Sequence, residues 1–267
     1  MRRFSGLLAW LWLLPAIAYG APVLRFGVDL NYPPFSWQDK KGQAQGFDID
    51  IAYALCQTLE VRCLIVPQDW DGLIPALKAG KFDAILSSMQ ITPERMHQVD
   101  FSDKYYNIPS RLISRKHGQT EAGTWKAKRI GVLESSTQEN FARKRWGTQQ
   151  ARIISYSEIG DAFLALQQGK LDAVFVDSAV GEQAFLRKPA GRDFAFTGHS
   201  FSDPAYFGPG AGIAVKKGNH ALRLKLNQAL QEIRQNGRYH KIQNKYFGFD
   251  IYGDKPQAKV IAPETTQ

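Results

Sequence analysis

A pair of serines and one arginine stand just beyond an apolar run, where they could bind a charged small molecule. Residues 84–86 (AIL) are typical of a buried strand, and Ser87 and Ser88 follow it directly. Arg95 comes shortly after Thr92, a favourable helix cap, so the arginine is predicted in a first helical turn. Its planar fork of donors suits a carboxylate. A lone arginine would otherwise be an ordinary surface residue, and the preceding serines favour the binding interpretation.

A second polar segment follows the apolar residues 129–133. Ser136 and Glu139 have the S-x-x-E spacing of a capping box, which predicts a helix start at this point. The free backbone N–H groups at a helix start attract anions. Simple capping would also explain the motif, but a capped helix start can at the same time present Thr137 and Gln138 to a ligand.

Two segments of the chain repeat one pattern. LKAGKFDAIL at 77–86 and LQQGKLDAVF at 166–175 share Leu, Gly, Lys, Asp and Ala at a shift of 89 residues. Each segment is typical of a helix end, a glycine cap, a tight turn and a short strand. The same shift carries Ser88 onto Asp177, so both are expected at equivalent strand ends. Asp177 could bind an ammonium group there; its alternative role is to cap a helix that starts at Ser178.

An acidic residue and two aromatic residues could receive a cationic side chain. Asp29 stands at the end of the first predicted strand, Tyr32 follows it, and Trp70 follows the strand at 61–66. The carboxylate could bind the positive group while the two rings stack on the alkyl or guanidinium part. Each aromatic residue taken alone could equally belong to the core, and Asp29 alone could cap a turn.

The repeat and the periodicity predict an α/β protein of two similar lobes. We predict strands at 24–30, 61–66, 129–133 and 173–176, and helices at 47–59 and 221–234. Strands that alternate with helices form mostly parallel sheets covered by helices. Ligands bind beyond the carboxyl ends of such strands. If the lobes face each other, the polar residues named above face one cleft.

The first residues predict a secretory signal peptide at 1–20. Arg2 and Arg3 precede an apolar block, and the segment closes with Ala-Tyr-Gly, so we expect cleavage after Gly20. A transmembrane anchor is the alternative, but the apolar stretch is short for a span and Pro15 interrupts it. The protein is therefore expected to be exported.

Composition limits the other classes of function. The chain has 267 residues, of which 44% are hydrophobic, and a formal net charge of +9. Lysine and arginine are scattered among acidic residues, which indicates a generally basic surface and no nucleic-acid partner. The polar, proline-containing residues 255–267 predict a disordered tail.

Cysteine and histidine usage gives no sign of catalysis or metal binding. Cys56 and Cys63 favour a disulfide in an exported protein, with free buried thiols as the alternative. The five histidines are dispersed, at His97, His117, His199, His220 and His240. The sequence has no metal-ligand spacing, nucleophile motif or phosphate loop, so we expect neither a cofactor, nor a metal, nor an enzyme.

Taken together, these motifs resemble family 3 of the periplasmic solute-binding proteins, the polar amino-acid receptors of ABC importers. GFDIDIAYALCQTL at 46–59 is similar to the family signature, and VDLNYPPF, DWDGLIPAL, KFDAILSSMQITPER, GVLESSTQE and LDAVFVD match further family segments. The resemblance spans about residues 24–254. It is strongest to the lysine/arginine/ornithine- and histidine-binding group, in which the cysteine pair forms a disulfide.

The resemblance implies a type II periplasmic binding-protein fold with a two-strand hinge and a ligand site between the lobes. The ligand contacts it implies are Asp29, Tyr32, Trp70, Ser87, Ser88, Gln90, Arg95, Ser136, Thr137, Gln138 and Asp177. Arg95 would bind the α-carboxylate, aided by Thr137 and the backbone near Ser88 and Gln138. Asp177 would bind the α-ammonium, with Ser88 and Gln90 beside it.

The remaining implied contacts concern the ligand side chain. Tyr32 and Trp70 would enclose it, and Asp29 would receive its distal positive group with Ser87 nearby. Two positions depart from the lysine/arginine/ornithine receptor pattern: Gln90 stands where that receptor has serine, and Glu134 where it has glutamine. Gln90 puts the size of the pocket in question, and Glu134 would favour a cation if it faced the cleft.

The expected organisation follows from the same resemblance. Lobe one would comprise 24–108 and 208–254, and lobe two 109–207. The hinge would be two strands that cross near 107–111 and 203–208. A ligand that touches both lobes would favour the closed state, which a membrane permease would then recognise.

The expected function is a monomeric periplasmic receptor for a basic L-amino acid such as arginine, lysine, ornithine or histidine. The permease of an ABC importer in the inner membrane would be its transient partner. Two alternatives stay open: a module that signals to a sensor, and a periplasmic dehydratase of the cyclohexadienyl type.

Overall fold

The computed structural model describes residues 21–116 and 125–253. The predicted signal peptide at 1–20, the predicted tail at 255–267 and His117 lie outside the described residues. Within the two described ranges, no helix combines the length and the apolar character needed to cross a bilayer.

Thirteen strands are described. They are β1 (Val23–Val28), β2 (Asn31–Tyr32), β3 (Ser36–Gln38), β4 (Ala44–Gln45), β5 (Arg62–Pro67), β6 (Ala84–Ile85), β7 (Val99–Tyr106), β8 (Ser110–Arg115), β9 (Arg129–Leu133), β10 (Arg152–Tyr156), β11 (Ala173–Asp177), β12 (Phe194–Phe201) and β13 (Ala211–Lys216).

Nine α-helices alternate with these strands in the described ranges. They are α1 (Phe47–Thr58), α2 (Leu73–Lys78), α3 (Pro93–Met96), α4 (Thr137–Arg145), α5 (Ile159–Gln167), α6 (Ser178–Val180), α7 (Pro204–Phe207), α8 (His220–Gln235) and α9 (Arg238–Tyr246). Short 3₁₀ turns occur at Trp70–Gly72, Gly147–Gln149 and Pro189–Gly191, and a π-helical turn, Gly181–Leu186, extends α6.

The two large sheets define two lobes of one plan. Lobe one contains the sheet β5-β1-β6-β13-β7, and lobe two contains the sheet β10-β9-β11-β8-β12. In each sheet three parallel strands are followed by an antiparallel strand, β13 on β6 and β8 on β11. That fourth strand is the one by which the chain enters the lobe after a crossing from the other lobe, β8 for lobe two and β13 for lobe one. The predicted two-lobed α/β fold is confirmed.

The internal repeat of the sequence is also a repeat of the structure. Arg25, in β1, forms a bidentate ion pair with Asp83, and Arg129, in β9, forms the same pair with Asp172. Asp83 and Asp172 are the shared aspartates of the two repeat segments, which places β6 and β11 in equivalent positions beside the first strand of each lobe. The ends of these two strands therefore mark corresponding points of the two lobes.

The predicted elements are observed with small changes at their ends. The first strand ends at Val28 and not at residue 30, because the main-chain oxygen of Asp29 accepts a hydrogen bond of 2.6 Å from the Ser36 hydroxyl and the chain turns into a hairpin. Thr92 caps α3, and Ser136 caps α4, as predicted. The predicted disulfide between Cys56 and Cys63 is present.

The chain crosses twice between the lobes, and the second crossing differs from the prediction. The first crossing runs through residues 107–109, between β7 and β8, which belong to neither a helix nor a strand. The second contains the short helix α7 where a strand was predicted at 203–208. Asp203 caps this helix by accepting from the Ala205 N–H at 2.9 Å, and Pro204 occupies the first helical position. A capping aspartate followed by proline at the first helical position is a local helix signal, and it outweighs the strand expectation.

Close packing in lobe one gives a test of the fold. A Cβ atom at Gly27, in β1, would lie 2.3 Å from the Phe82 ring, whereas a Cβ atom at Gly160, in α5, would meet nothing within 4 Å. We expect Gly27→Ala to lower the free energy of unfolding by about 1–3 kcal/mol through overpacking. Gly160→Ala should be neutral or slightly stabilising, because alanine is the better helix former. Urea unfolding measures both, and equal stabilities of the two variants would contradict the packing.

Candidate functional site

Every predicted ligand contact lines one cavity between the lobes. About 360 Å³ of space free of protein atoms, which includes solvent at the opening, belongs to this cavity. Its walls are Asp29, Tyr32, Trp70, Ser87, Ser88, Gln90, Arg95, Leu133, Ser136, Thr137, Gln138 and Asp177. Only Leu133 in this set was not predicted from the sequence. The structure thus brings the predicted residues together, while their roles in binding stay predictions.

Arg95 is buried at the cavity wall with its charge unpaired. Its Nη1 donates to the main-chain oxygen of Gln90 at 3.0 Å, and its Nη2 donates to the main-chain oxygen of Ser135 at 3.1 Å. The guanidinium carbon lies 5.1 Å from the centre of the Trp70 ring. Burial lowers the pKa of Arg95 to about 10. Among the described residues no carboxylate forms an ion pair with it, so a ligand carboxylate could supply the missing negative charge.

Asp177 ends β11 and accepts hydrogen bonds from three side chains. Its Oδ1 accepts from Gln138 Nε2 at 2.7 Å and from the Ser110 hydroxyl at 3.2 Å, and its Oδ2 accepts from the Tyr32 hydroxyl at 2.9 Å. The carboxylate makes no capping bond to α6, so the alternative role as a helix cap is not realised. A carboxylate has about four acceptor positions, which leaves room for an ammonium donor.

Asp29 lies directly beyond β1 and lines the cavity together with Tyr32 and Trp70. Its backbone N–H donates to the Ser87 hydroxyl at 3.0 Å, and its Oδ1 accepts from the Asn31 N–H at 3.1 Å. Trp70 is held at the start of a 3₁₀ turn, and its Nε1 is buried with no hydrogen-bond partner among the described residues. The carboxylate of Asp29 retains free acceptor positions for a cationic group.

The start of α4 forms the lobe-two side of the cavity. Ser136 caps the helix by accepting from the Glu139 N–H at 3.0 Å, and Glu139 in turn accepts from the Ser135 N–H at 2.6 Å. Thr137 and Gln138, the first residues of the helix, are buried against the cavity. The predicted capping box therefore presents the positive end of a helix to the cavity.

Two serines in the left-handed region stand on opposite sides of the cleft. Ser88 has φ 53° and Ser135 has φ 56°, a conformation that residues other than glycine rarely adopt. Ser88 lies shortly after β6, and Ser135 lies shortly after β9. Such strained backbone persists only when its surroundings fix it. The two turns shape the strand ends that face each other across the cavity.

Burial determines the protonation of the carboxyl groups in the cavity. Removal from water raises the pKa of Asp177 to about 6, although Tyr32, Ser110 and Gln138 donate to the carboxylate and oppose the shift. Burial likewise raises the pKa of Asp29 to about 6; the Asn31 N–H opposes this shift, and nearby negative charge on Asp69 adds to it. Both groups lack a cationic partner in the described residues, and a cation that entered the cavity would stabilise their ionised forms.

Hydrogen bonds join the lobes directly across the cavity. Tyr32 of lobe one donates to Asp177 of lobe two, and Arg95 of lobe one donates to the main chain at Ser135 of lobe two. At the rim, Asn31 Nδ2 lies 3.5 Å from Glu158 Oε1. The structure is therefore that of a closed cleft.

Some contributors to the site gave no signal in the sequence. Ser110 reaches Asp177 because β8 and β11 pair in antiparallel register, and Leu133 lines the cavity as the last residue of β9. Glu134 does not face the cavity: its side chain is exposed, so it adds no negative charge to the cavity wall. No cluster of metal-ligating side chains occurs in the described part of the chain.

Two lobes that close over a polar cavity at the carboxyl ends of their strands define a two-lobed α/β binding protein of the periplasmic type. The sequence profile of the bacterial extracellular solute-binding proteins, family 3, matches residues 24–249. This chain belongs to that family.

Known proteins are similar over almost the whole described chain. The L-arginine-binding protein of Pseudomonas aeruginosa is 45% identical over 242 residues, which cover 90% of this chain and 93% of the relative. The lysine/arginine/ornithine-binding periplasmic protein of Escherichia coli strain K12 is 43% identical over 233 residues, 86% of this chain and 90% of the relative. The solved structure of a Salmonella typhimurium periplasmic binding protein with high arginine specificity superposes with a TM-score of 0.79 at 33% identity, covering 85% of this chain and all of that one.

The buried charge of Asp177 should lower the stability of the ligand-free protein near neutral pH. A carboxyl group whose pKa is raised on folding destabilises the folded state increasingly as pH rises from the pKa of the unfolded state to the pKa of the folded state. Below the pKa of the unfolded state this cost is absent. We expect Asp177→Asn to raise the ligand-free free energy of unfolding by about 1–3 kcal/mol at pH 7.5. The gain should vanish near pH 4.

Urea unfolding at the two pH values checks this expectation. The exposed aspartate Asp103 provides the control, because Asp103→Asn should change stability little at either pH. A destabilised Asp177→Asn variant at pH 7.5 would show that the hydrogen bonds outweigh the cost of burying the charge.

Proposed function

We propose that this protein is the periplasmic binding component of an ABC importer and captures a basic L-amino acid. The observation that carries the proposal is the net negative charge of one buried cavity. Arg95 supplies one positive charge, whereas Asp29 and Asp177 supply two negative charges. A ligand with one carboxylate and two cationic groups complements this set. Arginine, lysine and ornithine have that charge distribution at neutral pH, and histidine has it when its ring is protonated.

The head group of the ligand would bind between the lobes. Arg95 offers its guanidinium to the α-carboxylate, with the start of α4 at Thr137 on the opposite side. Asp177 accepts the α-ammonium. Because Arg95 belongs to lobe one and Asp177 to lobe two, a bound amino acid makes all its contacts only when the cleft is closed.

The side chain of the ligand would extend toward Asp29. Tyr32 and Trp70 provide aromatic surface for its alkyl or guanidinium part, and the Asp29 carboxylate accepts its distal cation. A neutral side chain such as that of glutamine would leave the buried Asp29 charge without a partner, which is costly. This cost is the physical basis of the proposed preference for cations.

Closure would take place by rotation of the two lobes about the crossings. We propose the division into 24–108, 109–207 and 208–254, with bending at the two connections between the sheets. The periplasmic location, the transient permease partner and the monomeric state belong to the same proposal. The two relatives named above as periplasmic binding proteins support the location. A module that signals to a sensor would have the same binding site and differ only in its membrane partner.

We propose no catalytic role for the cavity. A dehydratase of prephenate-type substrates binds an anionic ring and needs a general acid together with several cationic groups. The cavity wall contains a single buried arginine and two buried aspartates, so an anionic ring would be repelled. Incubation with prephenate or arogenate tests this point directly, since any turnover would contradict it.

A ligand panel tests the proposed function. We expect isothermal titration calorimetry to show tight binding of L-arginine, L-lysine or L-ornithine. L-glutamine should bind at least about tenfold more weakly, because it leaves Asp29 unpaired. L-glutamate should not bind. A preference for glutamine or an acidic amino acid over all basic ones would contradict the proposal.

The role of Asp29 can be tested separately. Asp29→Asn removes the proposed partner of the distal cation and should weaken arginine binding by about 10–100-fold, while glutamine binding should weaken much less. Asp103→Asn is the matched control, since Asp103 is an exposed aspartate of lobe one and should leave both affinities unchanged. Equal losses for arginine and glutamine in Asp29→Asn would assign this residue a structural role only.

A further inference from the structure

The two aspartates of the signature segment GFDID have different surroundings. Asp50 lies at the surface of α1, where its Oδ2 accepts from Lys245 Nζ at 2.8 Å and from the Tyr246 hydroxyl at 2.7 Å. It therefore ties α1 to α9. Asp48, in the first turn of the same helix, is 0% exposed. Among the described residues no lysine, arginine or histidine forms an ion pair with Asp48, so a carboxyl group is buried there for another reason.

Asp48, Tyr105 and Ser88 form a closed ring of hydrogen bonds behind the cavity wall. Asp48 Oδ2 lies 3.0 Å from the Ser88 hydroxyl, and Asp48 Oδ1 lies 3.0 Å from the Tyr105 hydroxyl. The Tyr105 oxygen in turn accepts from the Ser88 N–H at 2.9 Å. Both Asp48 and Tyr105 are completely buried, whereas Ser88 lines the cavity. The ring therefore connects a buried carboxyl group to Ser88, a residue that lines the proposed ligand site.

The ring uses both of the hydrogens that Ser88 can donate. Its N–H points to Tyr105, and its hydroxyl hydrogen points to Asp48 as long as Asp48 is ionised, because an ionised carboxylate can only accept. Ser88 can then offer a ligand only hydrogen-bond acceptors, namely its main-chain oxygen and the lone pairs of its hydroxyl oxygen. Ser88 can thus accept from an ammonium group, but it cannot donate to a carboxylate. The predicted support of the carboxylate by the backbone near Ser88 stays a prediction, and the Ser88 N–H that donates to Tyr105 is not the group that would give it.

We propose that Asp48 is a positioning residue that makes Ser88 an obligatory acceptor and thereby directs the ammonium group of the ligand to this side of the cavity. The inference rests on the proposed function, because it concerns how the same site orients an amino acid. Asp48 touches no ligand and acts through Ser88. An amide or a protonated carboxyl group at position 48 would donate a hydrogen to the Ser88 hydroxyl oxygen. The hydroxyl hydrogen of Ser88 would then turn toward the ligand ammonium group, and an ammonium group cannot accept a hydrogen bond.

The ring also makes ligand binding sensitive to pH near neutrality. Burial raises the pKa of Asp48 to about 7, and hydrogen bonds from Ser88 and Tyr105 oppose that shift. The titratable groups that face it are the hydroxyls of Tyr105 and Tyr106 in β7; Tyr239 of α9 reaches the main chain of Tyr105. Burial raises the pKa of Tyr105 and of Tyr106 well above the ordinary tyrosine value, so both stay neutral, and a cationic ligand is the added charge that favours ionised Asp48. Affinity for a cationic amino acid should therefore fall as pH falls through about 7, and binding near that pH should release a proton.

The first test compares Asp48→Asn with Asp50→Asn by calorimetry with L-arginine. At pH 8 we expect Asp48→Asn to bind arginine at least about tenfold more weakly than the wild type, since the asparagine amide donates to Ser88. Asp50→Asn should bind arginine with unchanged affinity and show a lower melting temperature, because it loses only the tie to α9. Equal affinities of the wild type and Asp48→Asn would overturn the proposal.

The second test is a pH profile, which a merely structural role would not change. Between pH 8 and 6.5 the wild-type affinity should decrease, and calorimetry in buffers of different ionisation enthalpy should detect proton release. Both effects should be smaller in Asp48→Asn, where Asp29 and Asp177 still titrate at lower pH. Identical pH profiles in the two proteins would overturn the proposal.

A third variant keeps the question answerable if Asp48→Asn does not fold. Tyr105→Phe removes one donor from Asp48 and should move the decrease in affinity to higher pH, because the pKa of Asp48 then rises further. An unchanged midpoint would contradict the proposal. If the wild type binds no basic amino acid, the proposed function fails. If the wild type binds one and the variants bind it with the same affinity and pH dependence, only the proposed role of Asp48 is rejected.

Discussion

The rest of the structure depends on the burial of ionisable groups that have no counter-ion in the protein. Arg95, Asp29 and Asp177 line one cavity, and within the described residues none of them forms an ion pair. Burial of unpaired charge is among the costliest features a fold can contain. The fold reduces this cost with hydrogen bonds, two from Arg95 to main-chain oxygens and three to Asp177. What remains unbalanced is the charge that an incoming ligand can neutralise.

The two-lobed architecture places these groups where a ligand can reach all of them. Parallel strands bring their carboxyl ends to one edge of each sheet, and the two edges meet across the cleft. The repeat of the sequence has a physical meaning here, because the ion pairs Arg25–Asp83 and Arg129–Asp172 anchor equivalent strands in both lobes. The polar residues that follow β6 and β11 therefore arrive from opposite sides at the same cavity.

The two buried carboxyl groups nearest the head-group site share one design. Asp177 accepts from the hydroxyls of Tyr32 and Ser110, and Asp48 accepts from the hydroxyls of Tyr105 and Ser88. In each case neutral donors hold a carboxylate without cancelling its charge. The hydrogen bond from Tyr32 to Asp177 also joins the two lobes. Closure of the cleft and orientation of the charged groups are thus parts of one hydrogen-bonded arrangement.

Outside the second crossing, the sequence by itself determined the predicted strands and helices, the caps of α3 and α4, the preference for a disulfide and the set of polar residues at strand ends. Periodicity, capping and turn signals act over a few residues, so they can be read directly from the chain. Only the tertiary structure decided that Ser110 and Tyr32 donate to Asp177, that the main chain at Ser135 holds Arg95, and that Asp48 governs Ser88. These contacts join residues far apart in the chain, and a hydrogen bond forms only when two atoms approach within about 3 Å at a suitable angle. Strand register, lobe closure and left-handed backbone at two serines set those distances, and none of the three is encoded by local pattern.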